Sequence, residues 1–87
     1  MIFIYKNKYK NRNNICGVNI AKIRKSLSPK VSQRALAEKM QLEGVELDKN
    51  AVQRIESGKR VVTDIELKVF AKVLQVSYEE ILDENIM

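Results

Sequence analysis

The sequence predicts an all-α fold: a compact bundle of five short helices behind an irregular N-terminal tail. Three observations carry that prediction. Beyond position 17 the apolar residues recur at helical rather than alternating spacing. Five Ser, Thr, Asp or Asn residues stand where an N-terminal cap belongs, each with an apolar residue just before it and another four positions after it. Pro occurs once and Gly three times in 87 residues, too sparingly for strands joined by tight turns.

Each element follows from its cap. Asn19, between Val18 and Ile23, is expected to open a first helix over about 20–27, which Pro29 prevents from continuing. Ser32, between Val31 and Leu36, opens a second over about 33–42. Asp48, between Leu47 and Val52, opens a third over about 49–57, and Gly58 follows as a left-handed cap. Thr63 and Ser77 open the fourth and fifth, over about 64–74 and 78–84, with Glu66 and Glu80 completing capping boxes. The inward stripes are Ile20, Ile23 and Leu27; Leu36, Ala37 and Met40; Val52 and Ile55; Leu67, Phe70, Val73 and Leu74; and Tyr78, Ile81 and Leu82. Between Met40 and Asp48 the run QLEGVEL is long for a turn. Either the second helix runs on to about Leu42 or Glu43, or the loop bulges. The extension is preferred, because Met40 and Leu42 then still cover the core.

Residues 1–16 read differently. They are rich in Asn and Lys and show no helical periodicity, so a basic tail, disordered or irregular, is expected ahead of a folded unit over 17–87. The net charge of +5 is a gradient: +8 over residues 1–31, +1 over 32–63 and −4 over 64–87. A basic face for a polyanion and an acidic end turned away from it are implied, and on charge alone the polyanion is DNA, RNA or an anionic membrane surface. One cysteine, Cys16, and no histidine exclude an internal disulfide and a Cys/His metal cluster. Cys16 is taken as a bystander, and neither metal nor cofactor is expected. No apolar run approaches the roughly 20 residues of a bilayer span, and the opening Met-Ile-Phe-Ile-Tyr is too short for a signal-peptide core. A cytoplasmic protein that does not enter a membrane is expected.

The third helix carries the functional signal. With Val52 and Ile55 facing inward, a rotation of about 100° per residue puts Lys49, Asn50, Gln53 and Arg54 largely on the outer side. Arg and Lys donate to guanine O6 and N7, and Asn and Gln pair with adenine, so these side chains suit base edges. The same pattern also describes an ordinary solvated face. What tips the balance is the pair of phosphate-sized donor clusters that flank the helix. Ser32, Gln33 and Arg34 start the second helix, whose N-terminus presents open N–H groups. Ser57, Lys59 and Arg60 follow the third. Backbone anchors on either side of a polar helix are what a base-reading element needs.

Taken together, the runs SQRALAEKM, NAVQRIESGKR and LKVFAKVLQVSYEEIL resemble the Cro and phage-repressor type of helix-turn-helix, often called the Xre family, over about residues 19–83. The resemblance implies a lambda-repressor-like fold with the motif at about 32–58 and the third helix in the major groove of double-stranded DNA. It implies base contacts from Lys49, Asn50 and Arg54, base or backbone contact from Gln53, and phosphate contacts from Gln33, Ser57 and Lys59. Ala37 matches the small residue where the two helices of the motif pack. Arg24 and Glu56 match an Arg–Glu pair between the first and third helices, which makes Glu56 structural. The long turn before Asp48 departs from the pattern and leaves the angle of the reading helix open.

Three readings follow. The first is a transcriptional regulator, a repressor, that binds an inverted-repeat operator as a homodimer through its C-terminal half, around the fifth helix and residues 85–87. One module buries only about 600–1,000 Å² on DNA, and a dimer doubles the contact while setting two reading helices about 34 Å apart. The second is an antitoxin or adaptor whose main role is to bind a partner protein. The polar Lys49/Asn50/Arg54 face weighs against it, since protein interfaces favour aromatic anchors. The third, an enzyme, is the least supported: there is no His, no second thiol and no Gly-rich phosphate loop.

Overall fold

The computed structural model describes residues 9–84. They form α1 (Cys16–Ser26), α2 (Gln33–Leu42), α3 (Lys49–Glu56), α4 (Asp64–Leu74) and α5 (Tyr78–Ile81). No β-strand occurs among the described residues; Tyr9 and Arg12 form an isolated bridge. Expectations for residues 1–8 and 85–87 lie outside what is described. No helix among the described residues is long and apolar enough to cross a membrane.

Four of the five caps act as the sequence requires. Ser32 Oγ, Asp48 Oδ1, Thr63 Oγ1 and Ser77 Oγ each accept from the backbone N–H three residues on. Glu66 and Glu80 close the two capping boxes. The fifth is a correction. α1 begins at Cys16, not near residue 20; Ile15 before it offers no side-chain cap, and Asn14 takes over that task, its Oδ1 accepting from Gly17 N at 2.8 Å. Asn19 lies inside the helix, fully buried, and donates through Nδ2 to Ile81 O and Asp83 O, both at 2.9 Å. Those two bonds satisfy carbonyls that α5 leaves open at its end. α5 closes there after a single turn, short of the expected residue 84.

The core is contiguous. Ile20, Leu36, Ala37, Met40, Leu47, Val52, Ile55, Phe70, Leu74 and Ile81 are buried together, with Ile23, Leu27, Leu67 and Val73 packed around them. Two expectations fail at α5: one turn has room to point only Ile81 inward, so Tyr78 and Leu82 are exposed. A third fails at the end of α2. The helix does run on to Leu42, but that side chain is 86% exposed and covers nothing. The chain closes with Gly44 N and Val45 N donating to Gln41 O and Met40 O, and Leu47 fills the core in its place. Lys72 Nζ on α4 braces this turn through Glu43 at 2.6 Å.

Residues 9–15 form no helix, yet they do not trail from the domain. They lie against the end of α3 and the turn beyond it, held there by Arg12, Asn13 and Asn14. Cys16 is buried behind them, and burial pushes its thiol up to about 11, so it stays protonated at neutral pH.

Arg60 and Glu66 pair in a bidentate contact of 2.9 and 3.0 Å that ties the segment after α3 to the first turn of α4. The Arg60 guanidinium, more than the Thr63 hydrogen bonds, holds the Glu66 carboxyl below its ordinary range. A carboxylate with a depressed value in the fold stabilises it while ionised, so the contribution is full at neutral pH. It is lost as pH falls below the ordinary carboxylate range toward the folded-state value. Thermal melts should therefore show the gap between wild type and Glu66→Gln closing as pH falls through and below the ordinary carboxylate range. A constant gap across that window would exclude this pair as the cause.

Candidate nucleic-acid interface

The azimuth of α3 is set by its buried side. Ala51, Val52 and Ile55 pack inward against α1 and α2. Lys49, Asn50, Gln53 and Arg54 are consequently all exposed. Among the described residues none of these four side chains makes a hydrogen bond or an ion pair to the rest of the fold. A helix about 10–12 Å across with its side chains fits a major groove about 12 Å wide. Beside this face an open depression of about 680 Å³ is floored by Ala51, with Arg54 and Arg60 on its wall together with Glu46 and Asp48. The long turn thus sets acidic groups at the N-terminal edge of an otherwise cationic surface.

Glu56, at the last turn of α3, is the anchor of the helix. Its Oε2 accepts from Arg24 Nε at 2.8 Å, and its Oε1 accepts from Arg24 Nη2 at 2.8 Å and Gln33 Nε2 at 2.9 Å. Arg24 Nη1 also donates to Val31 O at 3.0 Å. One carboxylate therefore joins α1, the segment before α2, and the first residue of α2. The Arg24 and Glu56 side chains are only 10% and 8% exposed. The hydrogen bonds to Glu56 hold the Arg24 guanidinium above its already high range, against the opposing effect of burial.

The flanking residues divide into two sets. Arg34, Ser57 and Lys59 are exposed; Ser57 Oγ also donates back to Arg54 O. Ser32 is exposed, but its hydroxyl is occupied as the cap of α2. Gln33 is half-buried, with its amide turned to Glu56. Arg60 is half-buried, with its guanidinium paired to Glu66.

Sequence reasoning missed Arg12, Asn13 and Asn14. Arg12 Nη2 donates to Glu56 O at 2.7 Å, and Asn14 Nδ2 donates to Ile55 O and Arg60 O at 2.9 and 2.7 Å. Asn14 has no apolar residue before it, so the paired signal that marks the other caps is absent. The available hint was a capping residue three positions ahead of Gly17.

Comparison with protein families matches residues 20–81 to the helix-turn-helix model. That is most of the chain, and the chain belongs to this family, of the Cro and phage-repressor type, whose members bind DNA. Comparison with curated proteins and with solved structures gives no significant match.

Truncating the anchor should be costly. Glu56→Ala leaves the Arg24 charge in a site with little access to water, and should destabilise the fold by about 3 kcal/mol, read as a lower urea midpoint by circular dichroism. A midpoint equal to that of wild type would show that the pair holds nothing in place.

Proposed function

We propose that this chain is a sequence-specific transcriptional regulator acting in the cytoplasm, a repressor that binds an inverted-repeat operator in double-stranded DNA as a homodimer. α3 lies in the major groove. The observation that carries this reading is the exposed, unengaged row Lys49, Asn50, Gln53 and Arg54 on a helix whose opposite side is fixed in the core. In this reading Lys49, Asn50 and Arg54 face bases, and Gln53 meets base or backbone. The N-terminus of α2 at Ser32, Gln33 and Arg34 accepts one phosphate through its open N–H groups, and Ser57 and Lys59 hold another. Arg60, occupied by Glu66, belongs with Arg24 and Glu56 in the scaffold.

The dimer rests on a different observation. Val61, Ile65, Tyr78 and Leu82 are large apolar side chains left exposed on and beside α4 and α5, Ile65 by 69%. Apolar surface gathered on one side of so small a domain marks a contact surface. It lies in the C-terminal half, where the acidic charge is also concentrated. The same surface supports the second reading, an antitoxin or adaptor with a protein partner, because either occupant would cover these side chains.

Two experiments test these readings. Selection from a random duplex pool at near-physiological salt should recover an inverted repeat. Against that operator Arg54→Ala should lose about 1–3 kcal/mol and relax preference at one base position, while Lys59→Ala weakens all sequences alike and lowers the salt slope by about one. Identical behaviour of the two variants would overturn the division of roles. In sedimentation, Ile65→Glu should convert a wild-type dimer to monomer. A wild type that is monomeric with and without operator would remove the homodimer and leave the apolar surface to a partner protein.

A further inference from the structure

The segment before α1 spends its polar groups on one short stretch of the molecule. Asn13 N donates to Gly58 O at 2.8 Å and Asn13 Nδ2 to Lys59 O at 2.9 Å. With the bonds of Arg12 and Asn14, the carbonyls of Ile55, Glu56, Gly58, Lys59 and Arg60 are all taken by residues 12–14. The amides of the same stretch are tied on the other side, since Lys59 N and Arg60 N both donate to Arg54 O. The turn after the reading helix is therefore fixed through both its donors and its acceptors, leaving the Ser57 and Lys59 side chains to project.

The Arg12 guanidinium is seated closely. An added Cβ on Gly58 would lie 2.7 Å from Arg12 Cζ, and one on Gly17 would lie 2.8 Å from Arg12 Nη2 and would strike Ile55 O. Gly58 also stands at φ +84°, which closes α3 in a left-handed turn. Two residues without side chains thus leave the space that a flat cation occupies at the carbonyl end of α3, where its charge meets the partial negative charge of the helix terminus. Arg12 Nε is shielded from water and has no partner among the described residues. Residues 9–13 place no side chain in the buried apolar core. What they add is the fixed position of the end of α3, and they lie ahead of the residues matched by the family model.

We infer that Arg12, with Asn14, is a positioning residue for DNA reading: the strap over residues 12–14 sets the pose of the reading helix and of Lys59 from behind, without touching DNA. This rests on the DNA-binding reading above. The whole chain is tested on its selected operator and on a random duplex, as wild type, Arg12→Ala and Arg12→Lys. Arg12→Ala should keep the helical signal and weaken operator binding about ten-fold, the worth of one charge-assisted hydrogen bond. Random-duplex binding should change by less than about two-fold, because the phosphate-facing cations keep their charge and non-specific attraction depends on charge rather than on their exact pose. Arg12→Lys restores the charge but not the flat, two-sided fit, and should show the same loss of selectivity. Amide exchange at Lys59 and Arg60 should quicken in both variants while that of α2 and α4 holds. Wild-type selectivity retained in both variants overturns the inference, and so does full rescue by Lys, which would reduce Arg12 to a charge. If Arg12→Ala does not fold, Arg12→Lys and the exchange pattern decide. A wild type that shows no operator preference removes the DNA-binding reading itself, and the inference with it.

Discussion

The Glu56 carboxylate is the constraint from which the arrangement of the helices follows. It accepts three hydrogen bonds from two residues on two other helices, in a place with little water. A charge in that position is tolerable only if every partner is in place, which makes the relative pose of α1, α2 and α3 nearly all-or-none. The apolar core alone would hold the helices together with more freedom to slide and rotate. The ion pair chooses one arrangement out of that set, and the exposed row on α3 takes its direction from the choice. The pair bears on specificity of structure more than on gross stability, since an apolar replacement of similar shape often stabilises as well.

Around that anchor, polar groups share the work unevenly. Arg24, Arg60 and Arg12 all lie close to the reading helix or the turn beyond it, yet each is committed to an acceptor of the protein itself: Glu56, Glu66 and the carbonyl end of α3. The cations that project from the same region are Lys49, Arg54 and Lys59. Charge count along the chain does not separate the two sets. Burial and the presence of a local acceptor do, and they leave a reading face smaller and more defined than the basic composition suggests.

What was legible in the sequence was what is decided locally. Ser32, Asp48, Thr63 and Ser77 bond to an N–H three residues away, so their patterns carry the whole interaction, and four helix starts follow from them. The outward row on α3 was legible for a related reason, because Val52 and Ile55 alone fix which side is in. Asn19 was misassigned because it has the flanks of a cap while its partners, Ile81 and Asp83, lie more than sixty residues away. Arg12 and Asn14 were lost in a stretch that reads as a polar tail, and nothing near them in sequence reveals acceptors forty residues on. Leu42, Tyr78 and Leu82 failed in the opposite sense. Each stands at the edge of a helical stripe, where its helix begins or ends clear of the core.

The bond from Tyr9 Oη to Glu84 Oε1, 2.9 Å long, sets the two ends of the described chain side by side. Asn19 reinforces the closure by holding the carbonyls at the end of α5 from within α1. The architecture is thus nearly a ring, with its opening at one spot on the surface. Chain leading into residue 9 and chain leading out of residue 84 meet the domain at that same spot. A linker joining residue 84 to residue 9 would have little distance to cross, so the chain is suited to being closed there and reopened in a loop elsewhere.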